Sequence, residues 1–131
     1  MTGFSELRIN CPARPEAARP VRHAVAAFLV AAGCPRGDVS DGILTAVGEA
    51  LANVVEHAYA GNGDNEMELY ARFDPDRTLA VDVFDRGTFV AREARPGRGF
   101  GLRIVEAIAQ SVTIEVDQGT HVRMLFTVPA G

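Results

Sequence analysis

A chain of 131 residues, 47% apolar and 23% charged, is long enough to bury a core and reads as one globular domain over residues 1–131. Its net charge of −4 excludes the broadly basic surface that a nucleic-acid or anionic-membrane binder needs. All 13 basic residues are arginine, which excludes a Walker-type phosphate loop and Schiff-base chemistry, since both need a lysine.

No apolar run approaches the roughly 20 residues of a bilayer span. The N-terminal residues Met1 to Glu6 lack the basic start and apolar core of a secretory signal. Cys11 and Cys34 form neither a metal-ligand spacing nor a disulfide framework. A cytoplasmic protein with reduced thiols is the expectation.

In chain order, Glu6 to Asn10 alternates and predicts a short first strand. Pro12, Pro15 and Pro20 then punctuate the approach to a first helix. Its inward residues are Ala18, Val21, Val25, Phe28, Leu29 and Ala32, and Gly33 and Pro35 stop it. Asp38, Ser40 and Asp41 are candidate caps for a central helix that ends at Gly61 and Gly63. Taking Glu49 as the zero of a helical wheel, Ile43, Leu44, Val47, Leu51, Val54, Val55 and Ala58 fall on the far side. Glu49, Asn53 and His57, four residues apart, form a polar ridge on the near side.

Residues 66–73 alternate and predict a strand with one buried face. Asp74-Pro75-Asp76-Arg77 is turn chemistry, and Thr78 to Phe84 alternates again, so the pair forms a hairpin. Residues 86–101 are rich in glycine and arginine and read as loop. A third helix follows, with Leu102, Val105, Ile108 and Ala109 inward. Strands over Val112 to Val116 and Val122 to Val128 close the chain, with Gly119-Thr120 in the turn between them. These elements predict an α+β, two-layer α/β sandwich: three helices on one face of a mixed, mostly antiparallel sheet.

Three constellations bear chemistry. An acid, an amide and an imidazole on one helical ridge are unlike the mixed charges of an ordinary solvent face. Asp85-Arg86-Gly87 ends a strand, where a carboxylate can accept from an exocyclic amine and glycine lets a ligand approach the backbone. Gly97-Arg98-Gly99-Phe100-Gly101-Leu102 runs into a helix N-terminus, where backbone N–H groups and the helix dipole favour phosphate. Five arginines (Arg86, Arg92, Arg95, Arg98, Arg103) crowd the same region. Gly119-Thr120 alone is an ordinary hairpin turn.

The order Glu-x-x-x-Asn, Asp-x-Gly, Gly-x-Gly-x-Gly-Leu, Gly-Thr resembles the N box and three glycine boxes of one ATP-binding fold. That fold is shared by gyrase B, a heat-shock chaperone, histidine kinases and the DNA-repair protein MutL. The resemblance spans about residues 40 to 128. The stretch GEALANVVEHAY, from Gly48 to Tyr59, is most similar to the anti-sigma factor serine kinases of bacterial sporulation and general-stress control.

That resemblance implies ATP and Mg²⁺ as ligands, with Asn53 on the metal and Glu49 as the catalytic residue that orients or deprotonates the attacking hydroxyl. It implies nucleotide contacts from His57, Asp85, Gly87, Gly97, Arg98, Gly99, Gly101, Leu102 and Thr120, with Asp85 accepting the adenine amine. It implies an anti-anti-sigma STAS partner that is phosphorylated on serine, a sequestered sigma factor and a homodimer, with no direct nucleic-acid or membrane partner. The chain departs from the pattern at Phe89, where many relatives have a second glycine, and in its short lid between Asp85 and Gly99. A short lid leaves an alternative open: a non-catalytic, ATP-responsive binding module that regulates a signalling partner.

Overall fold

The computed structural model describes residues 5–34, 36–61, 66–85, 111–116 and 120–128, with the side chains of 57–61, 111–112, 114–116 and 120 left aside. Strand β1 is Ser5–Pro12, longer than the alternation alone predicts. A single 3₁₀ turn, Pro15–Ala17, leads into helix α1, Ala18–Ala31. Pro20 lies in the first turn of α1, where a missing N–H breaks no helical bond. The helix stops as its sequence predicts. Gly33 takes φ +93°, its N–H donates to the Val30 carbonyl at 3.1 Å, and the Cys34 N–H donates to the Leu29 carbonyl at 2.9 Å. That pair of bonds is the Schellman closure, and Leu29 and Cys34 are both buried beneath it.

Helix α2, Asp38–Gly61, starts with Asp38 and Asp41 in its first turn, where acids complement the dipole. Its buried stripe comprises Ile43, Val47, Leu51, Val54 and Val55, joined by two small residues, Ala46 and Ala50. Leu44 of the predicted far side is only half-buried, and the Ala58 side chain is outside the described set.

The remaining strands are β2 Glu66–Phe73, β3 Thr78–Asp85, β4 Ser111–Val116 and β5 Thr120–Thr127. They form one five-stranded sheet in the order β1-β2-β3-β5-β4. All four pairings are antiparallel, so the expected mixed sheet is corrected to an antiparallel one among the described residues. The reason is topological: β3 and β4 run the same way, but β5 lies between them. Thr120 is likewise corrected from a turn residue to the first residue of β5. Two long helices, not three, stand among the described residues; the expected helix with Leu102 to Ala109 inward lies outside them.

The register defines two unlike faces. Met67, Leu69, Ala71 and Phe73 of β2 align with Asp85, Val83, Val81 and Leu79 of β3, and the last three of these align in turn with Val122, Met124 and Phe126 of β5. All are buried, and with Val21, Val25 and Leu29 of α1 and the α2 stripe they make one core. Each large aliphatic side chain buried there contributes roughly 1.5–3 kcal/mol. The other face presents Arg8, Glu68, Tyr70, Asp82, Phe84, His121 and Arg123, by the alternation of strand side chains.

Candidate functional site

Helix α2 packs on β3, on β5 and on α1, and the way α1 meets it decides which margin of α2 stays open. Gly48 lies at that contact: a Cβ built on it would stand 3.3 Å from Cδ and 3.4 Å from Nε of Arg22. Glycine inside a helix costs about 1 kcal/mol relative to alanine, and here it lets the Arg22 side chain cross α2 closely. Glu49 is turned about 100° away from Gly48, and Asn53 lies beyond Glu49 in the same sense. Both are half-buried on the margin of the stripe that faces away from the Arg22 contact. The polar ridge therefore borders the core instead of opposing it. The outermost positions of α2 are Thr45, Ala52 and Glu56, all exposed.

Asp85 is the last residue of β3. It shares a sheet face with Val81 and Val83, the face on which α2 packs, and is only 5% exposed. A carboxylate so placed is held among apolar neighbours at the end of a strand, and burial of that kind requires hydrogen-bonding partners. Helix α2, which carries Glu49 and Asn53, thus packs on the sheet face that carries Asp85. An acid and an amide oxygen one helical turn apart are hard donors suited to an oxyphilic cation that keeps most of its ligands from phosphate and water. Among the described residues no three His, Cys, Asp or Glu side chains gather into a metal site.

Of the other residues named from sequence, His57 lies in α2 with its side chain outside the described set, and Thr120 opens β5. Gly87, Gly97, Arg98, Gly99, Gly101 and Leu102 lie outside the described residues, as do Arg86, Phe89, Arg92, Arg95 and Arg103. The sequence reading gave no role to Gly48, nor to the polar group behind Asp85 on the opposite sheet face. The signal for the latter is the alternation Val81-Asp82-Val83-Phe84-Asp85 against His121-Val122-Arg123, which becomes informative only once the β3–β5 register is known. Among the described residues, no helix is long and apolar enough to cross a membrane.

Comparison with known proteins agrees with this architecture. The family model for the histidine kinase-like ATPase domain matches residues 11–126. The chain is 32% identical to an anti-sigma F factor of Heyndrickxia coagulans, covering 95% of this chain and 92% of that protein. It is 27% identical to the serine-protein kinase RsbW of Listeria innocua, over 94% of this chain and 87% of the relative. Among solved structures it is similar to the RsbU and RsbW domains of a Mycobacterium tuberculosis protein. That match has a TM-score of 0.76 and 26% identity, covering 96% of this chain and about a third (34%) of the other. The chain belongs to the histidine kinase-like ATPase domain family, within its anti-sigma factor serine-protein kinase branch.

Proposed function

We propose that this protein binds Mg·ATP, transfers the γ-phosphate to a serine of an anti-anti-sigma STAS partner, and sequesters a sigma factor in the cytoplasm as a homodimer. The observation that supports it best is the shared interface: Glu49 and Asn53 on the margin of α2 away from Arg22, and buried Asp85 on the sheet face beneath that helix. The relatives' names, serine-protein kinase and anti-sigma F factor, support the same reading.

Each residue then has a role its chemistry suits. Asp85 accepts the exocyclic amine of adenine, which GTP lacks at the equivalent position. Asn53 offers its amide oxygen to Mg²⁺; the ion, when bound, neutralises charge on the phosphates. Glu49 receives the proton of the serine hydroxyl as its Oγ bonds to the γ-phosphorus and the bond to the β-phosphate oxygen breaks, releasing ADP. His57, Gly87 and Thr120 are proposed around the base. Gly97, Gly99, Gly101 and Leu102 are proposed at the phosphates, with Arg98 supplying positive charge. Positioning and charge neutralisation do the work, without a covalent intermediate.

Two substitutions test it. Glu49→Ala leaves ATP affinity within a few-fold and lowers transfer on the order of 100-fold or more, measured with labelled ATP and a serine-bearing partner. Asp85→Asn weakens ATP binding by roughly 1–3 kcal/mol. Undiminished transfer by Glu49→Ala removes it as the base. Equal affinity for ATP and GTP removes the adenine role of Asp85. ATP held tightly with no transfer to any partner serine leaves the nucleotide-responsive binding module.

A further inference from the structure

The face of the sheet turned away from α2 holds a carboxylate that the proposed phosphotransfer does not use. Asp82 is 7% exposed, although its strand position turns it away from the helical layer. His121 and Arg123 both reach it: His121 Nε2 stands 2.7 Å and Arg123 Nε 3.4 Å from the same oxygen, Oδ1. An ionised carboxylate only accepts, so the ring N–H of His121 donates. The imidazole is fixed on a second side by the Phe84 ring, edge-on, with centroids 5.4 Å apart.

The place of this cluster in the ladder gives it a consequence. Arg123 lies directly opposite Asp82, but His121 lies opposite Phe84, so the His121–Asp82 bond crosses diagonally past the intervening Val83–Val122 rung. The Phe84–His121 rung is the last of the β3–β5 ladder, and Asp85 follows it immediately as Thr120 precedes it. Ladder ends open most readily. A short bond to a buried carboxylate, made by the side chain of the final rung, opposes that opening. It does so at the rung next to Asp85 on the β5 side, while on the β2 side Asp85 pairs with Met67.

We propose that His121, through its bond to Asp82, is a positioning residue for the nucleotide site, holding the strand ends that present Asp85 and begin at Thr120. This rests on the reading of Asp85 as a nucleotide-binding residue. His121 need not touch the nucleotide to do so. It acts by keeping the register tight at the end of the ladder, where a small displacement of a hydrogen-bonding carboxylate is enough to lose affinity. Arg123 reaches the same oxygen from two rungs further in, so its loss leaves the last rung closed.

The test compares His121→Phe, which keeps a ring against Phe84 but has no donor, with His121→Gln, which restores an N–H, and Arg123→Gln. ATP dissociation constants, KM and kcat are measured on the whole chain beside Asp85→Asn, with thermal midpoints recorded. His121→Phe is expected to raise the dissociation constant and KM for ATP about five- to tenfold with kcat within about twofold. His121→Gln and Arg123→Gln are expected to stay within about twofold of wild type. If His121→Phe does not fold, His121→Ala takes its place with the same expectation. Wild-type affinity in the His121 variant, alongside lost affinity in Asp85→Asn, overturns this inference alone. So does an equal loss in Arg123→Gln, which marks a general loosening of the sheet. A wild-type protein that holds no ATP overturns the nucleotide reading and this inference with it.

Discussion

The two thiols show how burial sets chemistry at single residues. Cys34 is 2% exposed beneath the end of α1, and burial pushes its thiol above the ordinary value of 9.0, opposed in lesser part by the Arg77 guanidinium. Cys11 on β1 is pushed the same way, first by burial and then by the negative charge of Glu66. Raised thiols stay protonated, so neither is a nucleophile at neutral pH. The sign for stability follows from linkage. Below the ordinary thiol value both folded and unfolded chains hold the proton, and the cysteines make no pH-dependent difference. As pH climbs past about 9, the unfolded chain releases protons that the folded chain keeps, and stability falls. Urea titrations at pH 7.5 and pH 10 are therefore expected to show a larger alkaline loss in the wild type than in a Cys11→Ala, Cys34→Ala variant. An identical alkaline loss in both would place its origin in other groups.

At the scale of elements, Arg77 joins three of them from one position. It closes the β2–β3 hairpin with φ 71°, a left-handed conformation that glycine usually supplies in such loops. Arginine is tolerated because of what its side chain reaches. Its Nε donates to the Val128 carbonyl at 3.2 Å, a terminal nitrogen to the Gly33 carbonyl at 3.4 Å, and its guanidinium lies 5.0 Å from the Phe73 ring centre. Gly33 follows the end of α1, so a cation there also suits the helix dipole. Arg77→Ala loses the ties and keeps the backbone strain; Arg77→Gly loses the ties and relieves it. In chemical denaturation Arg77→Ala is expected to be the less stable of the two variants by about 1 kcal/mol. Equal stabilities would mean that the left-handed position stores no strain.

The same scale shows what sequence could reveal. Residues 66–73 alternate cleanly beside an Asp-Pro-Asp turn, and β2 occupies those residues; the glycine stop of α1 was equally readable. Strand order was not, because it depends on where β5 inserts between β3 and β4, a long-range event with no local signature. Thr120 read as a turn residue because threonine after glycine fits a hairpin, whereas its pairing with Val116 of β4 draws it into the strand. Asp82 and Glu68 read as solvent-side letters, yet they are 7% and 6% exposed. His121 and Arg123 reach over the first, and Arg8, 2.9 Å from Glu68 and stacked 4.4 Å over Tyr70, reaches over the second. The shared margin of Glu49 and Asn53 on α2 and the strand-terminal place of Asp85 were legible, since helical spacing and a strand end are local properties. The packing of α2 on the sheet face that carries Asp85 was not.

For the whole molecule, composition constrains how an anion can be held. The net charge is −4, and every cationic side chain other than histidine is a guanidinium. A guanidinium keeps its charge at all accessible pH values and grips phosphate oxygens with paired donors, whereas an ammonium acts as a point charge and can lose its proton. Nucleotide binding by such a chain must therefore be indifferent to reagents that consume amines and vulnerable to those that consume guanidinium groups. Exhaustive acetylation of amines at neutral pH is expected to leave ATP affinity within about twofold, because no lysine is present to react. Phenylglyoxal, which couples to arginine, is expected to abolish binding, and saturating Mg·ATP should slow that loss by shielding the arginines nearest the phosphates. Inactivation that ATP does not slow would assign the critical arginines to folding, as the three contacts of Arg77 allow. Loss of binding on acetylation would remove the arginine-only account of phosphate recognition altogether.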